Sequence, residues 1–161
     1  GEPVYYDKSE LAGGDFSVIK ASCCVPGACK PYPVHGRLGF DGGVSDPVPY
    51  RHALEMGCDR LVVLLTRPAD YRRPALAHED TMKAVLRHYP AAFAALKRRA
   101  ARYNRDVAEV KKLAAQGVAL LVAPTDITGM ATLTRNREAI QRLYEMGYDQ
   151  GQQVLEFAQR G

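Results

Sequence analysis

A mixed α/β fold, with three α/β/α layers around a largely parallel sheet, is what the sequence predicts. Three observations carry that expectation. Leu61-Val62-Val63-Leu64-Leu65 and Val118-Ala119-Leu120-Leu121-Val122 are uninterrupted apolar runs, the mark of strands covered on both faces of a parallel sheet. Segments with helical periodicity separate and flank these runs, and strands alternating with helices build layered α/β folds. Glycine or proline closes almost every segment, so the boundaries are punctuated.

Taken in order, Pro3 to Tyr6 reads as a short strand, and Phe16 to Cys24 as a short helix ended by Pro26-Gly27. Tyr32 to Phe40 has the pattern of a hairpin, with His35-Gly36 as its turn because glycine tolerates positive φ. Pro49 to Met56 is a helix with proline in its first turn and Gly57 at its end. The first buried strand follows. Arg67 to Ala77, with Pro68 and Pro74, is a loop.

Helical patterning begins at Glu79, breaks at Pro90 and runs on to Gln116, so 79–116 is expected to form a helical insertion or hairpin. Gly117 stops it, the second buried strand follows, and Pro124 closes that strand. A last helix spans Thr134 to about Gln159, with Gly147 and Gly151 weakening its middle.

The 161 residues are expected to make a single domain or part of one. Apolar and charged fractions of 47% and 25% are those of an ordinary globular chain, and a net charge of +4 is too mild to name a partner. No run approaches the length needed to cross a bilayer, and the N-terminus lacks the basic and apolar regions of a signal peptide. The expected location is therefore cytoplasmic, with peripheral membrane contact. Cys23, Cys24, Cys29 and Cys58 lack the two separated pairs that zinc prefers, and are expected to be reduced thiols without a metal or other cofactor.

Phe93, Leu96, Ala100, Tyr103, Val107, Val110 and Ala114 alternate spacings of three and four and form one apolar stripe. Lys97, Arg98, Arg99, Arg102 and Arg105 crowd the remaining surface. A solvated basic back is the commoner use of such a face. The partner it would fit is an anionic membrane surface. Nucleic acid is not expected, because no reader motif accompanies the charge.

The stretch richest in chemistry is Asp41-Gly42-Gly43-Val44-Ser45-Asp46-Pro47. An Asp-Gly bend alone is ordinary turn composition. Its surroundings add to it: Ala21-Ser22-Cys23-Cys24-Val25-Pro26-Gly27 leads through Pro31 and the hairpin to Asp41-Gly42-Gly43. The Pro49–Met56 helix, Gly57-Cys58-Asp59-Arg60 and a buried strand come next.

This succession, most specific over residues 21–60, resembles the C-terminal half of bacterial patatin-like phospholipases, which hydrolyse acyl esters with a serine–aspartate dyad. The resemblance extends more loosely through Pro124, Thr132-Leu133-Thr134-Arg135-Asn136 and Leu143-Tyr144-Glu145-Met146-Gly147-Tyr148. It implies that Asp41 is the catalytic base, that Gly42 and Gly43 complete its motif, and that the substrate is a phospholipid or other fatty acyl ester.

The resemblance also implies a nucleophile in a G-x-S-x-G turn and a glycine-rich oxyanion loop. Neither is present. Ser9, Ser17 and Ser22 lack the glycines, and Ser45 sits in Gly-Val-Ser-Asp-Pro, where it is expected to cap the following helix. The expectation is a C-terminal part of a longer hydrolase, inactive alone, whose exposed sheet edge invites homo-oligomers. Two other readings stand beside it: a non-catalytic α/β interaction module, and a metal or redox protein using the four cysteines.

Overall fold

The computed structural model describes residues 1–131 and 134–159, except for the side chain of Ala12. A 3-10 turn at Lys8–Gly14 precedes helix α1 (Ser17–Ser22) and strands β1 (Tyr32–Val34) and β2 (Arg37–Gly39). A second 3-10 turn, Gly42–Val44, leads to α2 (Tyr50–Glu55) and β3 (Leu61–Leu64). Helices α3 (Glu79–Val85) and α4 (Pro90–Ala115), strand β4 (Ala119–Val122) and helix α5 (Arg137–Gln159) complete the order. The chain gathers into two units, Gly1–Val48 with Arg73–Arg105, and Pro49–Arg72 with Asp106–Gly161.

In the first unit β1 and β2 form the expected antiparallel hairpin, with Tyr32 opposite Gly39 and Val34 opposite Arg37. His35 and Gly36 both take positive φ, 48° and 75°, so the turn has the twist that two-residue hairpins favour. The core gathers Val44, Leu86, Ala95 and Leu96, with Phe40, Leu76, Met82, Tyr89 and Phe93 packed against it. Phe40 meets Tyr89 edge to face at 5.4 Å between ring centres, worth about 0.5–1.5 kcal/mol beyond burial. Asn104 ties the incoming loop to α4, accepting from the Arg73 N–H at 2.8 Å and donating to its carbonyl at 3.0 Å.

The Pro3–Tyr6 strand is not formed. No strand among the described residues runs beside this segment to take its N–H and C=O groups. The Tyr5 hydroxyl instead donates to Asp46 Oδ2. Pro90 also differs in role: it opens α4 as the first helical residue, where its missing N–H costs nothing. The break falls just before it, at Leu86, which caps α3 and accepts from the Tyr89 N–H.

In the second unit β3 and β4 pair in parallel, Leu61 beside Ala119 through Leu64 beside Val122. Burial of this pair on both faces was expected and is found on one. Leu61 and Ala119 are buried, whereas Val62 and Leu64, on the opposite face by strand alternation, are exposed at 40% and 68%. The described residues thus hold two two-stranded sheets, one antiparallel and one parallel.

Gly117, at φ +76°, ends α4 as expected, and Val118 then returns its N–H to the Leu113 carbonyl. The apolar stripe of α4 is inward as predicted, with Leu96, Tyr103, Val107 and Val110 buried. Helix α5 starts at Arg137 rather than Thr134, because the Asn136 side chain accepts from the Ala139 N–H and sets the cap there. It runs unbroken through Gly147 and Gly151. Among the described residues no helix is long and apolar enough to cross a membrane.

Candidate active site

The Asp-Gly-Gly bend is a 3-10 turn headed by Asp41. Its side-chain Oδ1 accepts from the Gly43 N–H at 2.8 Å, and its carbonyl accepts from the Val44 N–H at 3.0 Å. The Asp41 N–H donates to the Cys24 carbonyl at 2.9 Å. That bond joins two segments far apart in sequence, the end of the first helical region and the bend. Val44 and Ser45, just beyond the glycines, are buried, while Asp41 itself is half-buried. The turn is thereby anchored on its core side and leaves the carboxylate partly open.

Both glycines have close neighbours. A Cβ on Gly43 would lie 3.0 Å from Asp41 Oδ1 and 3.5 Å from Arg99 Nη2. A Cβ on Gly42 would lie 3.9 Å from Ser22 Oγ, and one on Gly39 would lie 3.1 Å from the Ala21 Cβ. The Ala21–Cys24 segment and the Asp41–Gly43 bend are therefore neighbours in space. A carboxylate, a guanidinium and a hydroxyl surround the same short stretch of backbone.

Ser45 closes the turn rather than capping α2: its Oγ donates weakly back to the Gly42 carbonyl at 3.4 Å. The residue at the N-terminus of α2 is Pro49, with no side-chain cap. His35 occupies the hairpin turn and pairs with Glu10 at 3.2 Å. His52 lies on α2, 3.9 Å from Glu55. His35 and His52 thus each pair with a glutamate outside the Asp-Gly-Gly bend.

Arg99 is the residue that sequence reasoning misplaces. Its charged neighbours assign it to the solvated back of α4, yet it is half-buried beside Gly43. The signal is in the spacing: Arg99 stands three residues after Leu96 and four before Tyr103, both buried, so it borders the docked stripe. Arg102 is also half-buried, while Lys97, Arg98 and Arg105 are exposed and Lys97 pairs with Glu79.

Cys24 is buried, and its Sγ donates to the Lys20 carbonyl at 3.1 Å. Burial pushes its thiol pKa up, and the neighbouring Cys29, Cys23 and Asp41 push the same way. Cys23, Cys29 and Cys58 are exposed. Among the described residues no three His, Cys, Asp or Glu side chains gather closely enough to hold a metal ion. Phe40, the residue before Asp41, also lines an open groove of about 250 Å³ with Cys29, Lys30, Pro31, Val85 and Tyr89.

Residues 89–159 match the family model described as a domain of unknown function (DUF6363). The match takes in α4, β4 and α5, a little under half the chain, and leaves the Asp-Gly-Gly bend outside it. No curated protein and no solved structure matches the chain. The Thr132-Leu133 part of the looser resemblance lies outside the described residues.

Proposed function

We propose that this chain is the base-bearing part of a patatin-like serine acyl hydrolase, acting on a phospholipid or another fatty acyl ester. The observation that carries the reading is the setting of Asp41. Its carboxylate heads a glycine turn, is oriented by the Gly43 N–H, and stays half-open above a buried anchor. A direct carboxylate base needs such a fixed but approachable oxygen, because the serine it serves must come within hydrogen-bond distance. The nucleophile and the oxyanion donors are supplied from outside these 161 residues, and the chain alone is inactive.

Two further features accord with this reading. The parallel pair β3 and β4 keeps an open apolar face at Val62 and Leu64, and parallel sheets are ordinarily covered on both faces. The pair is then the edge of a larger three-layer α/β/α sheet. The exposed Lys97, Arg98 and Arg105 of α4 give an anionic membrane surface a place to meet the protein.

The test compares hydrolysis of a short-chain nitrophenyl ester by the 161-residue chain and by its natural polypeptide, each with and without Asp41→Asn. The chain alone is expected to be silent, and the natural polypeptide to lose about 10²–10⁴-fold activity in the variant. Hydrolysis that survives Asp41→Asn overturns Asp41 as the base, and a natural polypeptide that hydrolyses no ester favours the non-catalytic module.

A further inference from the structure

The arginines of α4 do not all face solvent. Arg98, Arg102 and Arg105 follow one another at spacings of four and three, so they lie along one side of the helix. Arg98 and Arg105 are exposed, and Arg102 between them is half-buried. Arg99 stands three residues before Arg102, is itself half-buried, and reaches the Asp-Gly-Gly bend. Positive charge thus runs from the open surface of the helix to the neighbourhood of Asp41.

Asp41 is fixed by backbone bonds that do not involve Arg99. Its Oδ1 accepts from the Gly43 N–H at 2.8 Å, its N–H donates to the Cys24 carbonyl at 2.9 Å, and its carbonyl accepts from the Val44 N–H at 3.0 Å. Asp46, the other acid of the bend, accepts from the Tyr5 hydroxyl. Half-burying a guanidinium gives up part of its hydration, so its place here calls for a use other than orienting the base. Gly43 points to that use. A Cβ there would lie 3.0 Å from Asp41 Oδ1 and 3.5 Å from Arg99 Nη2. Its φ is not positive, so the backbone does not require glycine. A side chain is missing where an oxygen of a ligand could meet the guanidinium. The two charged atoms are separated by no more than those two lengths laid end to end.

We propose that Arg99 binds the phosphate of the substrate, a phosphodiester monoanion on the same glycerol as the ester under attack. The inference rests on the reading of Asp41 as the base, and it selects phospholipids over neutral acyl esters. In a glycerophospholipid an ester oxygen, a C–C unit of glycerol and a phosphate-ester oxygen separate the acyl carbon from phosphorus. That span of a few ångströms matches the separation of carboxylate and guanidinium. The phosphate lies on the guanidinium side of Gly43, away from the carboxylate that would repel it. Arginine suits the task because its planar fork meets two phosphate oxygens at once. With five N–H donors, it can hold a ligand and still bond within the chain. Arg98, Arg102 and Arg105 draw the anionic headgroup toward the site.

The test uses two substrates with the same acyl esters, dihexanoyl phosphatidylglycerol and dihexanoylglycerol, hydrolysed by the natural polypeptide. In Arg99→Gln the ratio of kcat/KM for the phospholipid to that for the neutral ester is expected to fall about 10–100-fold, mainly through KM. Arg99→Lys keeps the charge without the fork and should recover part of the ratio. An unchanged ratio, with both substrates slowed alike or neither slowed, overturns the proposal and leaves Arg99 a structural residue. Binding is read separately on the 161-residue chain from the Arg99 Nε–Hε resonance, titrated with glycerophosphoglycerol and with inorganic phosphate. The phosphodiester is expected to shift that resonance at millimolar concentration. A shift with a natural polypeptide that hydrolyses neither ester upholds the phosphodiester site and removes the reaction. Hydrolysis with no shift overturns the site and leaves the reaction standing. A shift by inorganic phosphate alone assigns the site to free phosphate and overturns the headgroup.

Discussion

Asp41 Oδ1 and Arg99 Nη2 converge on one point: the place where a side chain on Gly43 would begin lies 3.0 Å from the first and 3.5 Å from the second. The second glycine of the motif therefore keeps a space that faces both charges. Gly43 does not have positive φ, so alanine there is not excluded by backbone conformation. It is opposed by the carboxylate, which must give by a few tenths of an ångström. Gly43→Ala is expected to cost about 1–2 kcal/mol in thermal or chemical unfolding. Gly42→Ala, whose nearest neighbour would be Ser22 Oγ at 3.9 Å, should stay within about 0.5 kcal/mol. Equal costs at the two positions would show that the space at Gly43 is not specific.

Two roles of Asp41, as turn cap and as base, separate by substitution. An asparagine in its place keeps an oxygen able to accept from the Gly43 N–H, whereas an alanine leaves that donor without its partner. Asp41→Asn is expected to hold stability within about 0.5 kcal/mol, since asparagine and aspartate cap equally well, and Asp41→Ala to lose about 0.5–2 kcal/mol. Melting curves of the two variants decide it. A large loss in Asp41→Asn would mean that the negative charge, through a neighbour such as Arg99, holds the bend.

Local chemistry makes most elements legible from the sequence. His35-Gly36, Gly57 and Gly117 mark their turns and helix ends because positive φ leaves few residue choices. The three- and four-residue spacing of the α4 stripe names its buried side chains without any knowledge of tertiary contacts. What escapes depends on neighbours. Pro3–Tyr6 has strand composition but no strand beside it. Leu64 has the pattern of a buried strand, yet it stands exposed among the described residues. Arg99 reads like its charged neighbours because composition does not say which guanidinium turns toward the bend. The Asp41 cap is readable from Asp-Gly-Gly; its bond to the Cys24 carbonyl is not, since a backbone group leaves no trace in the sequence.

The Asn104 side chain bridges both backbone groups of Arg73, and the Arg73 guanidinium lies over the Tyr103 ring at 4.9 Å. The two contacts differ in what they require of residue 73. Asn104→Ala removes the partners of an N–H and a carbonyl in a half-buried setting and is expected to cost about 1–3 kcal/mol. Arg73→Ala leaves both backbone bonds in place, giving up only the stacking, about 0.5–1 kcal/mol. Urea titrations should rank Asn104→Ala as the more damaging. The reverse order would locate the hold in the cation–π contact.

Cys24 should be chemically distinct from the other three thiols. It is buried, donates to the Lys20 carbonyl, and has a pKa above the ordinary 9.0, through burial first and then Cys29, Cys23 and Asp41. A thiol attacks as thiolate, so native protein exposed to iodoacetamide near neutral pH is expected to alkylate Cys23, Cys29 and Cys58 well before Cys24. Peptide mass spectrometry over time reads the order directly. The linked stability effect has a definite sign. Because the folded-state value is raised, the folded chain binds this proton more firmly than the unfolded one. The contribution is fully present below pH 9.0 and is lost as pH climbs through the raised value. Cys24→Ala should therefore remove part of the alkaline fall in melting temperature while leaving the neutral side of the profile parallel. Uniform alkylation of all four cysteines in the folded protein would contradict the buried setting on which this rests.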